Sequence, residues 1–179
     1  MQQAHRTLGL LSFALAATLL VPLPGLAERG DDSDRKSKNG MTTGAVDGVE
    51  ITLEYGRPKV KGRKIWGGLV PYGKVWRTGA DEATTISVSK NALIEGQPLA
   101  AGTYSLFTVP GEGEWTVVFN EVAEQWGAYD HDASKDALKV RVAPRDSEHI
   151  EELEFAITDG GVALHWEKLA VGFSVAAAP

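Results

Sequence analysis

Apolar and polar residues alternate with a period of two along much of the chain. Val49, Ile51, Leu53 and Tyr55 are separated by Glu50, Thr52 and Glu54. The same period runs through Ile86–Val88, Trp115–Asn120, Leu138–Val142, Leu153–Ile157, Val162–Trp166 and Val171–Val175. Successive side chains of an extended backbone point to opposite faces, so each run predicts a strand with one buried face. Gly- and Pro-bearing turns separate the runs: Glu95-Gly96-Gln97-Pro98, Pro110-Gly111-Glu112-Gly113 and Asp159-Gly160-Gly161. Short strands at such spacing predict an all-β chain, a single antiparallel β-sandwich or jelly-roll-like domain of about eight or nine strands. Asn120–Trp126 and Ser147–Glu151 are the two segments compatible with helix, and neither forms a βαβ unit.

The flanks follow other patterns. Arg6, an apolar run from Leu8 to Leu20 and the small-residue stretch ending at Ala27 have the order of a secretory signal peptide over residues 1–27. The apolar run falls short of the roughly 20 residues of a membrane span. Residues 28–45 are charged and nearly free of large apolar side chains, which predicts a disordered spacer. The β-sandwich domain is then expected over 46–175, with 176–179 as a tail. The protein is expected to be exported, periplasmic or extracellular, with no integral membrane span after signal cleavage.

Charge and composition narrow the chemistry. Eighteen basic against 24 acidic residues leave a net charge of -6. A chain this acidic is a poor general binder of nucleic acid or anionic membrane, so no nucleic-acid partner is expected. The absence of cysteine excludes thiol catalysis and Cys-ligated zinc. His131, His149 and His165 have no metal-ligand spacing, so no metal is expected. Asp130–Asp136 opens like a calcium loop, but Lys135 and Arg141 stand where Gly and the bidentate Glu belong, which favours a polar turn. No G-x-S-x-G or cofactor fingerprint is present, and no cofactor is expected.

Alternation is lost from Gly56 to Ala83. A connection this long is uncommon in a compact domain and is often functional. The stretches YGRPKVKGRKIWGGLVPYGKVWRTGADEATTI, AAGTYSLFTVPGEGEWTVVFN, WGAYDHD and ALKVRV resemble domain-of-unknown-function family 2911, over about Ile51 to Val175. The resemblance implies a secreted bacterial all-β domain and carries no established activity. Where that family often has Asn, this chain has Asp81, so no role needing an amide is carried over.

The candidate residues fall largely in the irregular region. Arg57, Lys59, Lys61 and Arg63 recur at every second position, with Lys64, Lys74 and Arg77 nearby. They can serve an anionic ligand or form a solvated edge. Trp66, Tyr72 and Trp76, with Trp126 and Tyr129 from a second loop, can form a stacking platform or a minicore under the loop. Trp115 and Trp166 belong by alternation to the main core. Asp81 and Glu82 are adjacent, so in a regular strand they would face opposite ways; they read as loop anchors, one of them facing Arg77. The expected ligand-binding set is Arg57, Arg63, Trp66, Tyr72, Trp76, Arg77, Trp126 and Tyr129. The expected partner is a small molecule, anionic or glycan-like, with the oligomeric state open. The rivals are a hydrolase using Asp81 or Glu82 with an arginine, and a structural or protein-interaction module of the cell envelope.

Overall fold

Each alternating run becomes a strand in the computed structural model, which describes Arg29 to Pro179. The expected signal peptide lies outside the described residues. The strands are β1 (Lys38–Val46), β2 (Val49–Arg57), β3 (Thr84–Val88), β4 (Ala92–Ile94) and β5 (Gln97–Leu99). They continue with β6 (Gly102–Val109), β7 (Trp115–Asn120), β8 (Asp136–Val142), β9 (Arg145–Thr158) and β10 (Gly161–Ala177). One antiparallel sheet has the order β1-β2-β3-β6-β7-β8 and the other β5-β4-β10-β9. The apolar faces meet between the sheets. Leu53, Ile86, Leu106, Val117, Phe119 and Val140 come from the first sheet, and Ile94, Leu153, Leu164 and Phe173 from the second, all buried.

Three expectations need correction. The domain starts earlier: Lys38 to Ala45, assigned to the spacer, lie in β1, and Ala176 and Ala177 of the tail lie in β10. β1 is an edge strand whose side chains are mostly exposed, so it has no apolar period to read. Backbone pairing with β2 from Lys38↔Arg57 to Val46↔Val49 forms it instead. The turn between them is Asp47-Gly48, with φ of 48° and 70°, the conformation favoured in two-residue hairpins. Ser147–Glu151 lies within β9, and Asn120–Trp126 is the end of β7 followed by a loop, so neither is helical. The only helical turn among the described residues is the 3-10 turn Ala133–Lys135, capped by Asp132, whose carboxylate accepts from the Ser134 N–H.

The two runs expected near the C-terminus form one bent element. Glu167, at φ 57°, reverses β10. Gly161 then lies against the backbone of Phe173 and Ser174, and Gly172 against Val162 and Ala163.

The irregular region joins the core at one end of the sandwich. Trp66 and Trp76 pack against Trp115 of β7 and Trp166 of β10. The centroid distances are 4.9 Å for Trp66–Trp115, 5.7 Å for Trp66–Trp166 and 5.8 Å for the stacked Trp76–Trp166 pair. Indole N–H groups of Trp66, Trp115 and Trp166 are buried without an acceptor among the described residues. Edge-to-face aromatic contact is the compensation the cluster offers them.

Candidate functional site

The structure does not gather the eight expected ligand-binding residues. Arg57 and Lys59 both reach Glu152 of β9, each at 3.1 Å. Arg63 turns back onto its own loop, donating to the carbonyls of Val60 and Lys59. Trp66 and Trp76 are spent on the tryptophan cluster, because loop aromatics gain more from burial than from water. Tyr72 is half-exposed beside Gly67, away from that cluster. Arg77, Trp126 and Tyr129 come closest to convergence. The Tyr129 ring and an Arg77 nitrogen both flank Gly127, the neighbour of Trp126. Arg77 has no ion pair among the described residues, and its Nε is buried without a partner.

Glu82 finds other arginines. Arg35 Nη2 donates to Glu82 Oε1 at 2.7 Å, and its Nη1 reaches Oε2. Arg29 Nη2 donates to Glu82 Oε2 at 3.0 Å and to the Ala80 carbonyl at 2.9 Å. Its other nitrogens bond the Ala83 carbonyl at 3.2 Å and Asn39 Oδ1 at 3.3 Å. The Arg29 side chain is only 7% exposed. The paired bonds from Arg35, with the charge of Arg29, hold the Glu82 carboxyl below its ordinary pKa. Burial lowers the Arg29 guanidinium, against the opposing pull of Glu82. Glu82 is thus held as a carboxylate, suited to clamp a chain and poorly suited to donate a proton.

Strained backbone carries this carboxylate. Thr78 and Asp81 have φ of 56° and 62°, a region that a β-branched residue such as Thr78 rarely enters. Hydrogen bonds over-determine it: Thr78 Oγ1 donates to Thr108 Oγ1 at 3.2 Å, and Thr84 Oγ1 donates to the Thr78 carbonyl at 2.9 Å. A positive φ at Asp81 also removes the simple alternation expected for the adjacent carboxylates. The loop after β7 then docks beside Glu82: Ala83 N–H donates to the Gln125 carbonyl at 2.9 Å, and Gly127 N–H to the Asp81 carbonyl at 3.1 Å.

These contacts frame a cavity of about 270 Å³ on the outer side of the six-stranded sheet. Arg29 and Glu82 form one wall, Gln125 and Trp126 the other, and Thr85 of β3 lies between them. Trp126 is 58% exposed. Thr85 Oγ1 is buried without a hydrogen-bond partner among the described residues. Thr85 pairs in register with Glu54 on β2 and Ser105 on β6, and Ser105 pairs with Asn120 on β7. Polar residues therefore cross the outer face in one row. A larger depression of about 610 Å³ lies along the second sheet and includes Arg141, Arg145 and His165. Glycine and alanine make up much of its wall, and its one carboxylate, Glu95, accepts the Ser174 N–H.

A family model described as a protein of unknown function, DUF2911, matches residues 37–175. The chain belongs to the DUF2911 family. No curated protein and no solved structure matches it. The DUF2911 match begins after Arg29 and Arg35, so both clamp arginines come from outside the matched region.

A buried polar network on the same face of the DUF2911 domain supports the pocket from beside it. Asp136 Oδ1 accepts from Asn120 Nδ2 at 2.7 Å and lies 2.8 Å from His131 Nε2, and Lys139 Nζ stands 2.9 Å from Oδ2. Burial raises the Asp136 pKa, but these partners outweigh it and leave the carboxyl below its ordinary value. Gln125 Nε2 donates to Ser105 Oγ at 3.0 Å and to Asn120 Oδ1 at 3.1 Å. The Trp126 loop is thus pinned to the row beneath it. Of the site residues, Arg29, Arg35, Thr85 and Gln125 were not anticipated from the sequence. Nothing in the local pattern distinguishes them from ordinary spacer, strand and loop residues.

Proposed function

We propose that this domain is an exported binding module that holds one ring of a neutral, hydroxyl-rich, glycan-like ligand between Trp126 and the Arg29–Glu82 wall. The exposed indole of Trp126 beside a polar pocket carries this reading, because an aromatic face stacks on the apolar face of a sugar ring. The cavity volume, about 270 Å³, lies just below the roughly 300–1,000 Å³ typical of drug-sized ligand sites. That size suits a single ring. Charge favours a neutral ligand over an anion. Arg29 and Arg35 are offset locally by Glu82, Asp81 and Glu54. The unpartnered Thr85 hydroxyl supports a ligand that brings its own donors and acceptors.

Titration with a panel of mono- and disaccharides, followed by tryptophan fluorescence and calorimetry, tests the reading. Binding of at least one saccharide is expected, with loss of at least tenfold in affinity in Trp126→Ala. Failure of every saccharide, or saccharide binding indifferent to Trp126→Ala, would overturn it.

A further inference from the structure

From Gly56 to Ala80 the chain contains seven basic residues and no acidic one. The rest of the sequence holds 11 basic and 24 acidic residues, a charge of -13. The average charge therefore conceals a stretch of 25 residues that carries positive charge alone. Arg57 and Lys59 are taken up by Glu152, but Lys61, Lys64 and Lys74 are exposed and have no ion pair among the described residues. The same loop exposes Leu69 at 46%, Tyr72 at 39% and Val75 at 36%. These three are among the most exposed large apolar side chains of the described residues, and they fall within seven positions.

The loop is built to hold them out. Ile65 and Val70 are each 2% exposed and anchor its base. Val70 N–H donates to the Ile65 carbonyl at 2.9 Å, and Leu69 N–H to the Lys64 carbonyl at 3.0 Å. Gly67, at φ 72°, closes the turn, and the Tyr72 ring lies where a Cβ on Gly67 would be crowded, 2.8 Å from Tyr72 Cε2. Leu69 thus projects from a hydrogen-bonded turn beside Lys64, with little left to order on binding.

We propose that this loop tip docks the domain on a bilayer surface rich in anionic phospholipid, independently of the pocket at Trp126. Leu69, Tyr72 and Val75 enter the boundary between headgroups and acyl chains. Lys61, Lys64 and Lys74 face the phosphates, and the acidic residues that meet the loop, Glu151 and Glu152, are held at its base by the Lys61 N–H, Arg57 and Lys59. Charge complementarity selects this occupant. Three apolar side chains are too few for a stable protein interface, which buries roughly 800 Å² per partner. They match shallow insertion, in which a small apolar contact and a basic rim act together.

The chain has no native cysteine, so one introduced thiol carries an environment-sensitive dye at a single place. The full chain labelled through Leu69→Cys is mixed with phosphatidylglycerol–phosphatidylcholine vesicles, with phosphatidylcholine vesicles, and with dextran sulfate. Glu148→Cys, at an exposed position outside the loop, serves as the control. The dye at position 69 is expected to shift to the blue only with the anionic vesicles, and the dye at position 148 not at all. Adding Lys61→Ala, Lys64→Ala and Lys74→Ala is expected to lower vesicle affinity on the order of a hundredfold, at about fivefold per lysine. Attachment through another segment would leave the dye at position 69 unshifted and overturn the proposal. A blue shift insensitive to the three lysine changes would do the same. A response to dextran sulfate without one to vesicles would assign the loop to a soluble polyanion instead.

Discussion

Replacing Glu82 by Gln keeps the shape of the clamp and removes its charge. Arg29 is the partner that suffers. Its side chain is 7% exposed, and the carboxylate is the only charged one of its acceptors. Breaking a fully buried ion pair costs about 3–5 kcal/mol. Two features reduce that figure here. Glu82 is 27% exposed, and Arg29 keeps the Ala80 and Ala83 carbonyls. A loss of about 2 kcal/mol is expected, the partly exposed Arg35 bonds included. The midpoint of thermal unfolding should fall by about 4–8 °C for a domain of this size. Urea unfolding at neutral pH, read by tryptophan fluorescence, measures the difference directly. The pH dependence supplies a second readout. The folded-state pKa of Glu82 is lowered, so its contribution is complete above the ordinary carboxylate pKa and fades as pH falls through the lowered folded value. Wild type and Glu82→Gln should therefore converge in acid. A difference below about 0.5 kcal/mol at neutral pH, or one that stays constant into acid, would refute the account of the clamp.

Three further outcomes test other parts of the structure. Thr85→Val removes a buried hydroxyl that has no partner, so the ligand-free protein should be unchanged or about 1 kcal/mol more stable in urea, while saccharide affinity falls. Trp66→Ala should cost about 3 kcal/mol or more in the same assay, because it opens a cavity among Trp76, Trp115 and Trp166. Gly56→Ala would place a Cβ 2.3 Å from the Ala80 carbonyl oxygen. Backbone must then move, and the variant should lose about 2 kcal/mol or more in urea-unfolding stability.

Period-two alternation made most of the strands legible, because burial of one sheet face writes itself into every second residue. Val49–Tyr55 and Leu138–Val142 place their apolar residues inward as the pattern requires, as do Trp115, Val117 and Phe119, while Val118 packs with Phe107 and Ala83 on the opposite face. β1 was hidden because an exposed edge strand has no such constraint. Its one local sign was the turn pair Asp47-Gly48. The site was less legible. Trp66 and Trp76 looked like ligand platforms because a loop sequence carries no statement of which aromatics fold back into the core. Arg29 and Arg35 looked like solvated charges of a spacer, and only their approach to Glu82 across about fifty residues gives them a role.

The amino-acid sequence alone determined the all-β class, most of the inward residues and the concentration of positive charge between Gly56 and Ala80. These are local or compositional properties, readable wherever they occur. Tertiary structure decided which of the arginines are spent in ion pairs. It decided that four tryptophans share one core cluster and that Trp126 faces water beside Glu82. Those outcomes depend on contacts between segments far apart in the chain. A side chain's partner is set by the path of the backbone in space, which no single stretch of residues encodes.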